Sequence, residues 1–506
     1  MGAAEVGTTS GRVRGLDRGG HLAFRGIPYA APPVGEERFR APGPVEPWAE
    51  VRDATEFGSV APQDPLVPPP FRAEAPESED CLFLNVYTPA LDGARRPVLF
   101  WIHGGGFSHG AGSQPAYDGG PLVERGDVVV VTINYRVGAL GYLYLGGHGG
   151  DAWGAAANAG QLDQIAALRW VRDNIAAFGG DPDNVTIFGQ SAGGVAVGTL
   201  LAMPAARGLF AKAILQSGTA ARLAGHEAAT AISASYLERI GIPDADPEKL
   251  RAISVADLLA AQGQRGALSP VVDGDSLPVN PTTFVRDGGV ADIPVMIGTT
   301  RDEQKLYVAR ERPELSDAEL VAQVRAAIPR RAADRAAEVV EVYRASRVGR
   351  GLGATNHDII DAVMTASRFR IPAVRLAEAQ VAHQPRTFLY QFDWESPARR
   401  GAMGARHGLE IPFVFGTIDL PGNDRTIGTG EAVARLSEQM MDAWIAFART
   451  GDPAHPGIGE WPAYDPTTRT TMVFGPETGA VAAPFEEERA IWEEMLGAPA
   501  PAGAGG

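Results

Sequence analysis

The chain has 506 residues, 45% hydrophobic and 21% charged, a length and composition that can bury a large globular core. A formal net charge of −16 argues against nucleic acid as a partner, because a phosphate backbone is gripped by clustered cations. One cysteine, Cys81, leaves no internal disulfide and no cysteine zinc cluster, and 62 glycines with 39 prolines favour a loop-rich fold over a helical bundle.

The first segment, MGAAEVGTTSGRVRG, lacks the apolar stretch of a secretory signal, and no run approaches about 18 apolar residues. A soluble cytoplasmic protein without membrane contact is therefore expected; oligomeric state is not legible. PQDPLVPPPFRAEAPESED (62–80) reads as a Pro-rich acidic loop. PVLFWI (97–102) and DVVVVTI (127–133) are short apolar runs bounded by glycine-rich segments, as in strands buried on both faces. LDQIAALRWVRDNIAAF (162–178) repeats apolar residues at three and four and stops at Gly179-Gly180, which predicts a helix. NVTIF (184–188), IPVMIG (293–298) and TFLYQFDW (387–394) read as further strands, and 431–451 as a late helix. Residues 225–266 and 305–385 are rich in Ala, Arg and Glu and should be helical, forming a cap over the sheet. The alternation runs from about residue 97 to 475, so a single α/β domain with a mostly parallel sheet is expected over 1–496, then a disordered GAPAPAGAGG tail (497–506).

The pattern G-x-S-x-G occurs twice, as GFSHG (106–110) and GQSAG (189–193). A serine nucleophile on an α/β sheet needs a strand, a sharp turn and then a helix whose positive end faces the developing charge. Ser191 has that setting, between NVTIF and the apolar run VAVGTLLAM (195–203); Ser108 lies in a glycine-rich loop and is expected to be an ordinary loop serine. WIHGGGF (101–107) follows a strand with three glycines, which lets backbone N–H groups converge on one point as an oxyanion hole. The triad acid should come next in the chain and the histidine last. Asp302 and Glu303, just past the strand IPVMIG, are equally eligible by pattern. His407 in RHGLE, in a glycine-flanked loop, is the preferred base over His357, His383 and His455.

These blocks resemble the type-B carboxylesterases, the α/β-hydrolase family that includes bacterial para-nitrobenzyl esterases and cholinesterases. The resemblance runs through FRGIPYAAPPVGEERFRAP (24–42), EDCLFLNVYTP (79–89), WIHGGGF, INYRVGALGY (133–142), residues 158–194, ILQSG (214–218), PVVDGD (270–275), GTTRDEQ, RHGLEIPFVFG and WIAFARTGDP (444–453). It implies an α/β-hydrolase fold and hydrolysis of small-molecule carboxylic esters through an acyl-enzyme, with no metal and no organic cofactor. Transferred by position, it implies Ser191 as nucleophile, Glu303 as acid, His407 as base, and the N–H groups of Gly105, Gly106 and Ala192 as the oxyanion hole. Ser217 is implied to join the hydrogen-bond network around the triad. Three positions depart from the family pattern: Cys81 has no partner cysteine, Gln304 stands where glycine is usual, and Gln190 stands where glutamate is frequent. A neutral amide beside the nucleophile predicts neutral esters over choline-type esters, and the resemblance to the family's broad bacterial members implies short to medium chains. Carbamate, amide or lactone cleavage on the same triad is the alternative, and a non-catalytic binding module of the same fold a more remote one.

Overall fold

The structure is a computed structural model and describes residues 3–63, 73, 75–146, 156–262 and 268–497. Most of the Pro-rich loop, at 64–72 and 74, and the tail from 498 onward lie outside the described residues. The framework is a thirteen-stranded sheet. Eight strands form its middle: β1 (Phe83–Thr88), β2 (Arg96–Ile102), β3 (Val129–Ile133), β4 (Gly180–Gln190), β5 (Lys212–Gln216), β6 (Val295–Thr300), β7 (Thr387–Phe392) and β8 (Thr471–Phe474). They lie side by side in the order β1-β3-β2-β4-β5-β6-β7-β8. Every pairing from β3 to β8 is parallel, whereas β1 runs antiparallel to β3.

The strands expected from apolar runs are all present, within a few residues of their expected ends. β4 starts at Gly180, earlier than NVTIF suggested, because its first half pairs Gly180 with Arg96 across a register shift. The edge strands escaped sequence reading. Ala3–Thr8, Gly11–Asp17 and Leu22–Pro28 extend the sheet antiparallel from β1, and Gly479–Val481 closes the far edge. Gly11–Asp17 alternates buried and exposed positions, so it has no continuous apolar run to betray it. β5 is buried at every position although it contains Lys212 and Gln216, and short apolar content hid it too.

A parallel sheet must be covered on both faces. The helix α1 (Ala159–Asn174) continues as a tighter turn over Ile175–Phe178 and ends at Gly179, as its spacing predicts. Together with α2 (Ala192–Leu200) it covers one face through Ile165, Leu168, Val171, Val197 and Leu200. The opposite face is covered by α3 (Glu431–Thr450), the expected late helix, which buries Leu436, Met440, Trp444 and Phe447 against Trp101, Phe188 and Phe415. Each such fully buried side chain contributes about 1.5–3 kcal/mol of transfer free energy. Both regions expected to be helical are so: 225–266 holds His226–Arg239, Pro247–Ala252 and Val255–Ala260, and 305–385 is broken into several short helices rather than one run. Asp317–Ala327, Ala336–Gly349, Asn356–Thr365 and the C-terminal helix Glu486–Leu496 share an apolar core of their own around Val324, Tyr343 and Trp492. Asn356–Thr365 packs beside the short turn Glu303–Leu306, so this layer reaches the C-terminal edge of the sheet.

Cys81 is buried and free, as the lone cysteine required, and burial pushes its thiol pKa up. Among the described residues no helix is long and apolar enough to cross a membrane, and no group of three or more His, Cys, Asp or Glu side chains could hold a metal ion.

Candidate active site

Three adjacent strands, β4, β5 and β6, end together and bring the expected residues into one place. β4 ends at Gln190, and Ser191 turns the chain at φ 59° and ψ −122°, a region disfavoured for any residue with a Cβ. The turn is held on both sides: the Ser191 N–H donates to the Gln216 carbonyl at 2.8 Å, and the Ser191 carbonyl accepts from Val195 N–H at 2.9 Å as α2 begins. Gly193 is required by close approach, since a Cβ there would lie 2.1 Å from the Ile102 carbonyl oxygen. The second motif differs in kind. Ser108 N–H and Oγ both donate to the Gly105 carbonyl, each at 3.1 Å, closing a local turn with no strand-to-helix passage.

The glycine loop lies directly against the elbow. A Cβ on Gly104 would stand 2.6 Å from the Gln190 carbonyl oxygen and 3.2 Å from Ser191 Cβ, so only glycine lets the loop reach this close. Gly105 and Gly106 follow with φ of +110° and +61°, and Ala192 is the first residue of α2. His103, at the start of the loop, is a packing residue. Its ring stacks on Tyr135 with centroids 4.3 Å apart, Nδ1 donates to the Gly104 carbonyl at 2.8 Å, and burial lowers its pKa to about 4.

Of the two candidate acids, the structure brings Glu303 and not Asp302 to His407. Glu303 is fully buried; its Oε2 lies 2.5 Å from His407 Nδ1 and its Oε1 accepts from the Thr300 N–H at 2.8 Å. Asp302 points elsewhere, into Arg301 at 2.9 Å and the Ala405 N–H at 3.1 Å, and holds the His407 loop to the end of β6. His407 Nδ1–H donates to Glu303, so Nε2 carries the lone pair. That lone pair accepts from the side-chain amide of Gln190, 3.2 Å away. These two are the side-chain hydrogen bonds of His407 among the described residues; the Ser191 hydroxyl instead contacts the Tyr307 hydroxyl. His357, His383 and His455 lie elsewhere, each bonded to a backbone carbonyl, as expected of surface and capping residues.

Ser217 occupies the turn after β5 at φ 52°, where its N–H donates to the Gly298 carbonyl at 2.8 Å. Its Oγ is buried without a hydrogen-bond partner among the described residues, so the network implied for it is not made by that hydroxyl in this structure.

The same architecture recurs in known proteins. The carboxylesterase family model matches residues 2–492. The chain is 41% identical over 495 residues to the para-nitrobenzyl esterase of Bacillus subtilis (strain 168), covering 96% of this chain and 97% of that one. It is 38% identical over 497 residues to the phenmedipham hydrolase of Pseudarthrobacter oxydans, covering 94% and 96%. A solved PNB esterase superposes with a TM-score of 0.86 at 40% identity over 96% of this chain and 98% of that one. The chain belongs to the carboxylesterase family.

It is accordingly a carboxylic-ester hydrolase, and three features of this esterase's site were not singled out in the sequence. Tyr307 and Phe369 flank His407, with ring centroids 5.4 Å and 5.1 Å from the imidazole, and stack on each other at 6.5 Å. Tyr307 closes the short turn that begins at Glu303, four residues on; Phe369 sits in a π-helical stretch, Ala366–Arg370, of the kind that often marks functional positions. Glu410, three residues beyond His407, is completely buried, accepts from Gln216 Nε2 at 3.4 Å, and has no partner for its second oxygen among the described residues. Burial first, and the Glu303 charge second, push its carboxyl up to about 7. The departure at Gln304 also acquires a location: it lines a cavity of about 350 Å³ with Val308, Arg312, Ile360, Asp361 and Met364.

Proposed function

We propose that Ser191 attacks the ester carbonyl as nucleophile, with His407 as general base and then general acid, and Glu303 fixing the imidazole tautomer and stabilising the imidazolium. The observation that carries this reading is the 2.5 Å contact of the buried Glu303 with His407 Nδ1, beside a serine held in a strained elbow at the end of β4. The N–H groups of Gly105, Gly106 and Ala192 bind the tetrahedral oxyanion, a role supported by the glycine loop's close approach to Ser191. For attack the Ser191 hydroxyl donates to His407 Nε2, the acceptor that the Gln190 amide occupies at 3.2 Å, so the amide gives way as the serine turns in. Residues 1–496 act as one hydrolase unit in the cytoplasm, without metal or organic cofactor, and Gln190 acts as a neutral neighbour of the base. Neutral esters of short to medium chain are turned over in preference to choline-type esters.

A fluorophosphonate probe tests the nucleophile. It is expected to label Ser191 stoichiometrically and to leave Ser191→Ala unlabelled; labelling elsewhere, or none in folded protein, overturns the assignment. Hydrolysis of p-nitrophenyl esters of increasing acyl length tests the substrate range, and a strong preference for long chains would contradict it.

A further inference from the structure

Two arginines stand in the wall beside the triad without a carboxylate to balance them. Arg368 lies in the π-helical stretch Ala366–Arg370, next to Phe369, and is exposed. Arg222 comes from the opposite side, in the loop that follows β5. That loop abuts the elbow: a Cβ at Gly218 would lie 2.3 Å from the Ser191 carbonyl oxygen. Arg222 Nη2 donates to the Ser367 carbonyl at 2.6 Å and to Ser367 Oγ at 3.2 Å, which ties its guanidinium to the residue preceding Arg368.

Both side chains are exposed, so water screens the repulsion between their charges. Partial burial first, and the Arg368 charge second, lower the Arg222 pKa; the Arg368 charge also reaches the Tyr307 hydroxyl, which itself contacts Ser191. Neither guanidinium forms an ion pair among the described residues, although the nearby Arg312 holds Asp361 at 2.7 Å and Arg370 pairs with the buried Glu488. Arg222, tied to Ser367, and the adjacent Arg368 offer two exposed guanidiniums that an anion from outside can meet together.

We propose that Arg222 and Arg368 bind a carboxylate carried by the substrate, so that this esterase favours esters bearing a negative charge remote from the scissile carbonyl. The proposal rests on Ser191 being the nucleophile of an ester hydrolase, and it extends the substrate class from uncharged esters to anionic ones, cationic esters remaining disfavoured. Planar guanidinium forks match a carboxylate in two-point contact, and the aromatic faces of Tyr307 and Phe369 suit a ring between the ester and the acid.

The test compares para-acetoxybenzoate with its uncharged methyl ester, and the p-nitrophenyl monoester of terephthalic acid with its methyl diester. The first pair carries the carboxylate on the alcohol side and the second on the acyl side; in both, the para position prevents intramolecular catalysis. The readout is the ratio of kcat/KM for the anionic to the uncharged member, taken relative to wild type so that intrinsic reactivity cancels. In at least one pair, Arg222→Gln and Arg368→Gln should each lower that ratio about fivefold, the scale of an exposed ion pair. The double variant should lower it more than either single variant. Salt should narrow the wild-type ratio and leave the double variant's ratio unmoved. Stoichiometric fluorophosphonate labelling certifies that each variant is folded. Ratios that do not respond to either substitution in either pair overturn the anion site. A wild-type enzyme that hydrolyses none of the four compounds, and takes no label, overturns the ester-hydrolase mechanism itself.

Discussion

Replacing Gln190 by glutamate asks whether the neutral amide beside the base sets the pH range of catalysis. In the structure the amide nitrogen is 3.2 Å from His407 Nε2, and both side chains are buried. The amide oxygen is turned toward Gly104, so the N–H donates to the imidazole lone pair. A carboxylate in its place presents an acceptor to an acceptor, which favours the imidazolium. At about 3 Å and an effective dielectric near 20, the Coulomb energy is roughly 5 kcal/mol, a ceiling. The charge of Glu303 and the burial of the position oppose ionisation of the new carboxyl, leaving about 1.5–3 kcal/mol, or roughly one to two pH units. Because attack requires neutral His407, the acid limb of the kcat/KM profile for p-nitrophenyl acetate should move up by that amount in Gln190→Glu. Activity would then be lost on the acid side and retained on the alkaline side. Gln190→Leu, which removes the donor without adding charge, should move the limb by no more than about half a unit. Superimposable acid limbs for Gln190→Glu and wild type would refute the claim that this side chain senses the base.

Ser191→Gly should abolish turnover yet raise stability by about 1 kcal/mol in urea denaturation, because glycine adopts the elbow's φ and ψ without the strain a serine carries, less its own entropy cost. Glu410 gives a stability signature with a definite sign. Its folded pKa, raised to about 7 from an ordinary value of 4.5, means the folded state holds the proton more tightly. Its contribution is therefore fully favourable below pH 4.5, is lost as pH rises toward 7, and amounts to a cost of roughly 3 kcal/mol beyond that. Glu410→Gln should accordingly gain in urea midpoint over wild type as pH rises from 5 to 8; an equal difference at both, each about one unit from neutrality or beyond, would contradict the assignment. Arg136 and Asp163 form a pair with side chains 2% and 0% exposed and contacts of 2.6 and 2.8 Å. Arg136→Met alone should cost about 3–5 kcal/mol by stranding a buried carboxylate, and the double variant with Asp163→Leu should recover most of it in the same assay.

Local sequence carried the parts of the site that local physics dictates. Ser191 was distinguishable from Ser108 because a strand and a helix flank it, and the glycines of WIHGGGF announced a backbone that had to approach another closely. Asp302 and Glu303 could not be separated, because both follow the same strand and differ only in which way a 3₁₀ turn points them. The turn sends Asp302 to Arg301 and Ala405, and Glu303 inward to Thr300 and His407. Tyr307, Phe369 and Glu410 were invisible for a related reason: each gains its role from a neighbour distant in sequence or from burial, and none sits in a pattern of its own. The same holds for Arg222 and Arg368, 146 positions apart, joined only through Ser367.

The site's geometry follows from where parallel strands end. β4, β5 and β6 are adjacent and in parallel register, so their last residues, Gln190, Gln216 and Thr300, share one edge. The donors at these strand ends are then bound within the protein rather than to solvent, two of them across to the neighbouring strand. Ser191 N–H donates to Gln216, Ser217 N–H to Gly298, and Thr300 N–H to the Glu303 carboxylate. Each bond satisfies a donor that a strand end would otherwise leave unpaired in the interior, which costs about 1–3 kcal/mol per group. Two of the three turns contain a non-glycine residue at positive φ, Ser191 at 59° and Ser217 at 52°. The strain is thus offset by the same hydrogen bonds that fix the direction of the side chains. A serine exposed at a turn would relax; one pinned between two neighbouring strand ends cannot, and that rigidity lets a 2.5 Å Glu303–His407 contact be set against it across the edge of the sheet.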